Sequence, residues 1–376
     1  MRIAVLGAGP AGLLFSTLWK RRHPGDAVTV FEQNPADATF GFGVVFSQAA
    51  LDFLREDEPE THALITPMLE SWSDITLDHR GEAVVIDGVG FSAIGRLALL
   101  RLLQRRAQAV GVDLRFDTAI GALAELGEAD LVVGADGVNS LVRRGREAAF
   151  GTSLTHLSNR FAWYGVERRF ETLTQSFVET QAGAFTAHHY RFTPTMSTFI
   201  VECNEATFAR AGLAAMDEAE SRRLCERAFA AALGGASLIS NRSIWRRFPV
   251  LWNETWHVGN HVLIGDALHT AHFSIGSGTR LALEDAIALC HALEAEPGAL
   301  QAGLARYQAQ RKPVVEKIVR AAAASAAWYE RFPEHMRLPP QAFAMSYITR
   351  SGRLDRERLR AMSPRFVAGY EAEAAA

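Results

Sequence analysis

The chain opens on a short β-type run at residues 2–6 (RIAVL), which meets Gly7-Ala8-Gly9-Pro10-Ala11-Gly12 and then a helical segment reaching about Arg22. The next strand, residues 28–31 (VTVF), stops at Glu32. Strand, glycine turn, helix and strand predict a βαβ opening. Residues 40–46 (FGFGVVF) are glycine-rich and aromatic, which predicts a loop lying close to something flat. Acidic helical stretches follow to about Glu70, and residues 75–86 read as a strand pair turning at Arg80-Gly81. Leucines on repeated faces predict a helix over 96–110, with strands at 112–116 and 131–133. From Phe161 to Cys203 the chain becomes rich in Phe, Thr, Val and Tyr around a Thr193-Pro194-Thr195 turn, the pattern of an antiparallel sheet. A helix at 217–233, a buried strand at 261–264 and a helix at 279–293 come next. The remainder is mainly helical, with an alanine-rich end expected to fray.

No internal repeat interrupts this order. One α/β domain is therefore expected from the two ends of the chain, with a β-rich segment inserted between them. Composition changes the picture only by exclusion. The 376 residues are 48% hydrophobic and 22% charged, ample material for a large core. A net charge of −3 argues against bulk attraction to nucleic acid or anionic membrane. Cys203, Cys225 and Cys290 are widely spaced, without a CxxC or a metal-type cluster, and read as buried thiols of a reducing compartment. The apolar N-terminus carries a turn fingerprint rather than a signal-peptide cleavage site, and no stretch is apolar for the length of a membrane helix. A cytoplasmic protein, monomer or homodimer, with no nucleic-acid, membrane or metal partner is expected.

The candidate chemistry starts at the glycine turn. Gly7 permits the tight turn, Gly9 lets the backbone approach a pyrophosphate, and Gly12 lets the helix pack on the strand, with Ala11 in the same turn. The helix N-terminus offers free N–H groups to phosphates. Glu32 lies 20 residues beyond Gly12, where an acid accepts hydrogen bonds from ribose hydroxyls. Dinucleotide binding follows, without a choice between FAD and NAD.

Two later motifs make that choice: Gly134-Ala135-Asp136-Gly137 with Arg143 beyond it, and Gly265-Asp266-Ala267 with the small-residue loop Ser274-Ile275-Gly276-Ser277-Gly278. With the N-terminal GxGxxG they occur in the order of three fingerprints, and the chain resembles the group A flavoprotein monooxygenases, FAD-dependent aromatic hydroxylases of the para-hydroxybenzoate hydroxylase type. The resemblance implies a Rossmann-like FAD-binding domain from residues 1–72, 96–155 and 245–335. A β-rich substrate domain from 73–95 and 156–244 and a helical tail at 336–376 complete the expected organisation. It gives Asp266 the ribityl chain, brings Gly276 and Gly278 close to the isoalloxazine, and sets Arg96 near the flavin phosphates, with Asp136 as a further cofactor residue. The loop containing Gly41, Phe42 and Gly43 would flank the flavin and is the candidate for movement when nicotinamide binds. His272-Phe273 stands where the family usually has proline, so the pocket above the flavin should be shaped differently.

The run from 265 to 289 (GDALHTAHFSIGSGTRLALEDAIAL) is most similar to the branch that hydroxylates salicylyl-CoA or 2-aminobenzoyl-CoA. The stretches FGFGVVFS, MSTFIVEC and SYITRSGR match as well, while the branch acting on protodeoxyviolaceinate shares several of these runs. Bifunctional relatives carry a further reductase domain that does not fit here, so hydroxylation without ring reduction is expected. The resemblance implies that NADH or NADPH reduces FAD as a transient co-substrate and that O2 forms a flavin C4a-hydroperoxide attacked by an electron-rich ring.

Strand alternation in 185–191 (FTAHHYR) puts Thr186, His188 and Tyr190 on one face and His189 on the other. His188 and Tyr190 read either as catalytic groups facing the substrate or as a structural pair on the sheet. His269 and His272 either touch ligand or brace the flavin loop, while Trp163 and Tyr164 read as sheet packing. Arg242, Arg246 and Arg247 read either as a solvated face or as partners for CoA phosphates. Four functions stay open: hydroxylation of an aryl-CoA, the same chemistry on a free aromatic or indole-derived intermediate, an FAD-dependent reductase or dehydrogenase, and a flavin-binding module without turnover.

Overall fold

A computed structural model describes residues 1–47 and 51–375. Its largest apolar core lies around a six-stranded sheet in which Arg2–Leu6 is flanked by Ala27–Phe31 and Leu131–Gly134, all parallel. Asp113–Arg115 extends one side, and His261–Leu263 the other. A β-strand buried on both faces needs no alternation, and Val5, Leu6, Val30, Leu131 and Val133 are all buried. The helix Pro10–Arg22 begins with proline at its first position, where a missing N–H costs nothing. Ser16 and Thr17 are buried within it and return their hydroxyls to the Gly12 and Leu13 carbonyls.

The second sheet has eight strands, with Thr152–Val166, Ser197–Cys203, Gly183–Arg191 and Leu173–Thr180 antiparallel at its centre. It is not antiparallel throughout, because Leu173–Thr180 pairs parallel with Ile75–His79. The hairpin Ile75–His79/Glu82–Ile86 turns on Arg80 and Gly81, both with positive φ. One face of this sheet looks toward the glycine turn, and the other packs on helix Glu218–Ala228 and its neighbours through Phe185, Phe199 and Phe229.

Four departures from the sequence reading matter. Residues 40–46 are not all loop, since Gly43–Ser47 is a strand paired with Phe91–Gly95, with Val44 and Phe46 buried on alternate positions. Arg246–Asn253 is a strand along Thr152–Val166, unrecognised because its arginines and proline mask the pattern. The helix expected over 217–233 breaks at Phe229. The alanine-rich end is helical from Pro364 to Ala375, anchored by buried Phe366 and Val367. Among the described residues no helix is long and apolar enough to cross a membrane.

Candidate functional site

The strands of the parallel sheet end on one side, and there a cleft of about 670 Å³ opens between the two large sheets. Gly7, at φ +99°, makes the turn out of the first strand, and a Cβ there would sit 2.4 Å from the Ala135 carbonyl oxygen. A Cβ on Gly12 would meet the Gly7 carbonyl oxygen at 2.1 Å, so the helix closes onto the strand only with glycine. Gly9 differs: nothing lies within 4 Å of its Cβ position, which opens on the cleft. The N-terminal N–H groups of the helix have no intrahelical partner there. Glu32 accepts from the Ala8 N–H at 3.0 Å and from Asn34 at 2.9 and 2.7 Å, and it lines a side pocket of about 130 Å³ with Gly9 and Arg96.

Asp266 and Arg96 both line the cleft. Asp266 is open to the cleft yet surrounded by protein; separation from bulk water raises its pKa, with Arg96 opposing. Arg96 donates its backbone N–H to the Phe42 carbonyl at 2.7 Å, and among the described residues its guanidinium has no ion-pair or hydrogen-bond partner. Gly276 and Gly278 line the same end, Gly276 at φ +62°. Asp136 does not line it: its carboxylate accepts from the Leu141 N–H at 2.6 Å, its other oxygen is buried without a partner, and burial raises its pKa. Gly137, Val138 and Asn139 occupy the wall instead. Buried Arg143 ties this segment to the Gly-Asp turn by donating to the Ala267 carbonyl at 3.0 Å and to the Val138 carbonyl.

Sequence reasoning missed the group that shapes that turn. Asp285, fully buried on Gly278–Glu294, accepts from the Gly265 N–H at 3.1 Å, with His269 Nε2 and Arg311 Nε each at 2.8 Å. Burial works against its charge, but His269 and Arg311 hold the carboxyl below its ordinary range. An acid on the apolar face of a predicted helix was the available signal. His269 and His272 both brace rather than line the cleft, the latter with Nδ1 2.8 Å from Ser274 Oγ.

The segment expected to move is tethered. Asn241 Nδ2 donates to the Thr39 and Gly41 carbonyls at 3.0 and 3.1 Å, Gly43 N–H donates to Thr198 Oγ1 at 2.8 Å, and Tyr190 Oη donates to the Gly43 carbonyl at 3.0 Å. Gly41 and Gly43 line the cleft, while Phe42 turns away onto Gly165. Trp163 backs Gly41 and lines the cleft; Tyr164 packs in the core.

The other end of the cleft is aromatic. Phe161, Phe273, Phe248, Tyr329 and Tyr347 line it, with Phe161 and Phe273 edge to face at 4.9 Å. His188 and Tyr190 point into it from Gly183–Arg191, His188 stacked 5.3 Å from Phe273. Burial, helped by the charge of Arg350, pushes the His188 pKa down to about 3, so its imidazole is neutral at ordinary pH. Burial raises the Tyr190 phenol. Thr186 shares that face but is buried, accepting from Gln175 Nε2 at 2.8 Å. His189 lies on the opposite face between Phe170 and Phe199. Gln175, Tyr329 and Arg350 also went unassigned from sequence, because strands and helices distant in the chain deliver them. At the rim stand Arg242, Arg246 and Arg247; Arg247 pairs with Glu205 at 2.9 Å, and Arg242 lies 5.3 Å over the Phe40 ring.

The family described as FAD binding domain matches residues 125–322. The chain is 40% identical to salicyloyl-CoA 5-hydroxylase of a Streptomyces species, over 93% of this chain and 70% of that protein. It is also 40% identical to 3-hydroxy-4-methyl-anthranilyl-(aryl-carrier protein) 5-monooxygenase of Streptosporangium sibiricum, over 94% of this chain and 95% of the relative. Among solved structures, PqsL of Pseudomonas aeruginosa in complex with 2-aminobenzoylacetate superposes with a TM-score of 0.71 at 22% identity, covering 93% of this chain and 100% of that one.

Proposed function

Because the chain belongs to the FAD-binding-domain family and is an FAD-dependent aromatic monooxygenase, we propose that its substrate is an aryl thioester of the salicylyl-CoA kind, hydroxylated on the ring. Two relatives are named for acyl groups carried on CoA or on an aryl-carrier protein. The observation that carries the reading is the continuity of one cleft, from the open backbone at Gly9 to an aromatic chamber, with arginines at its rim.

The residues present fit FAD. Space for a diphosphate is left at Gly9, Arg96 carries a charge with no counter-ion in contact among the described residues, and Asp266 presents a carboxylate to the cleft. In this assignment Gly7, Gly9, Ala11 and Gly12 with the helix N-terminus hold the diphosphate, and Glu32 holds the ribose. Arg96 and Asp266 hold the diphosphate and ribityl side, and Asp136 supports the wall formed by Gly137 to Asn139. Gly276, Gly278, Gly41 and Gly43 leave room for a flat ring, with Phe42 as the wedge that fixes the loop. FAD, reduced by NADH or NADPH, supplies the two-electron chemistry that lets O2 give one atom to an aromatic ring.

The protein's own part is to position the substrate and exclude water. The aromatic wall presses the substrate ring flat and displaces solvent. His188, held neutral, accepts a hydrogen bond from a substrate hydroxyl but is too weak a base to retain its proton. Tyr190 uses its hydroxyl on Gly43 and so sets the loop. Arg246 and Arg242, which have no acidic partner among the described residues, receive the phosphates of the thioester tail, with Arg247 beside them. We assign residues 1–72, 96–155 and 245–335 to the cofactor, 73–95 and 156–244 to the substrate, and 336–376 to a helical closing segment.

The test is NADH and NADPH oxidation against aryl-CoA thioesters and the matching free acids, run under labelled O2 with product mass. Thioester-stimulated oxidation with one labelled oxygen in the ring is expected. Stimulation by the free acids alone moves the substrate to a free aromatic, and turnover without oxygen incorporation moves the chemistry to a reductase.

A further inference from the structure

Arg350 enters the aromatic chamber without a carboxylate. It follows helix Pro340–Thr349 and lies flat on Tyr347, 3.7 Å from guanidinium carbon to ring centre, with the Tyr329 ring at 5.7 Å. Nε donates to Ser325 Oγ at 2.9 Å, Nη1 to the Tyr347 carbonyl at 2.6 Å, and Nη2 to the Ser274 carbonyl at 2.7 Å. A guanidinium has five N–H donors, so two are left over, and the residue lines the cleft. Among the described residues no acidic side chain pairs with it.

The titratable groups around it supply no base. His188 faces it from the central sheet and His272 from the turn before Ser274, both pushed down to about 3 by burial. Tyr329, from the long helix, donates its hydroxyl to Gln175 Oε1 at 2.9 Å. Tyr347 offers its ring face. Behind Tyr329, buried Glu202 is pushed up to about 8 and is protonated at neutral pH. A phenolic substrate beside Arg350 therefore meets a permanent positive charge and, among the described residues around it, no group able to hold its proton.

We propose that Arg350 is a catalytic residue that holds the substrate as a phenolate. The phenol O–H bond breaks, its electron pair stays on the oxygen beside the guanidinium, and the proton passes to water at the cleft mouth. The ionised oxygen feeds density to the ring carbons ortho and para to it, the positions an electrophilic oxygen attacks. The proposal rests on the reading of the substrate as a phenolic aryl thioester.

The experiment follows the fluorine resonance of 4-fluorosalicyloyl-CoA bound to the FAD-loaded protein across pH, with tail-free 4-fluorophenol in parallel. In the wild type both phenols should ionise about one to three pH units lower when bound than when free. Arg350→Met should return them to the free value while the flavin spectrum stays that of the loaded protein. Arg350→Lys should restore much of the effect, and His188→Ala, which removes only an acceptor for the protonated phenol, should not abolish it. Lowering that survives Arg350→Met, or that vanishes with His188→Ala, overturns the proposal. If 4-fluorophenol shows the effect and the thioester does not bind, the thioester reading fails while Arg350 keeps its role.

Discussion

Gly9 and Gly12 stand three residues apart in one turn, and a methyl group has opposite effects at the two. At Gly12 it meets a backbone oxygen at 2.1 Å, so Gly12→Ala should cost about 1–3 kcal/mol of folding stability or more. At Gly9 it meets nothing within 4 Å. Gly9→Ala should therefore unfold within about 0.5 kcal/mol of the wild type, yet bind FAD about tenfold more weakly, a loss of about 1.4 kcal/mol. Urea melts of the cofactor-free protein and an FAD titration separate the two effects; equal losses of stability would undo the distinction. Glu202 allows a second residue-level test. Burial raises it from 4.5 to about 8, so between those values the folded chain keeps a proton that the unfolded chain has released. Its contribution to stability is complete below 4.5 and is lost as pH rises through 8, at up to about 1.4 kcal/mol per pH unit. Glu202→Gln should remove that slope, gaining on the wild type between pH 5 and pH 8 in denaturant midpoints.

At the scale of elements, the glycine turn was legible because one local pattern encodes strand, turn, helix and acid together. The strand Gly43–Ser47 was not, because Gly41 and Gly43 signalled a loop while its pairing partner, Phe91–Gly95, lies far along the chain. Strand alternation correctly separated His188 from His189, since side-chain direction in a strand depends only on local geometry. It could not say that burial would leave His188 so weak a base. The tethered loop yields its own expectation. Asn241→Ala removes two hydrogen bonds to the Thr39 and Gly41 carbonyls, each worth about 0.5–1.5 kcal/mol. Amide exchange across residues 39–43 should quicken by about tenfold, and unchanged protection would show that Tyr190 and Thr198 suffice.

Across the whole molecule, the cleft depends on contacts that no local pattern announces. Asp285 joins the Gly-Asp turn to the long helix Leu300–Glu330 through Arg311, and Arg143 joins the Asp-Gly segment to Ala267. Asp285→Ala leaves buried Arg311 with Glu284 as its remaining ion partner and takes the acceptor from Gly265 and His269; it should cost about 3–5 kcal/mol, seen as a lowered melting temperature with and without FAD. A loss confined to the FAD-loaded protein would contradict this. Family fingerprints made the cofactor end readable, since its residues lie within short motifs. The substrate end is gathered from two sheets and two helices, and sequence spacing carries no trace of that.

The Ser274 carbonyl receives its hydrogen bond from Arg350, and the first strand of the parallel sheet is completed by Leu131–Gly134. This has a consequence for synthesis on the ribosome. The glycine turn emerges first, but Asp266 follows more than two hundred residues later, and Arg350 on the chamber wall later still. On the proposed assignment a nascent chain cannot assemble the cradle in the order it is made, and flavin capture would belong to the last stage of biogenesis. Until then the apolar walls of the cleft are the surface a chaperone would have to cover.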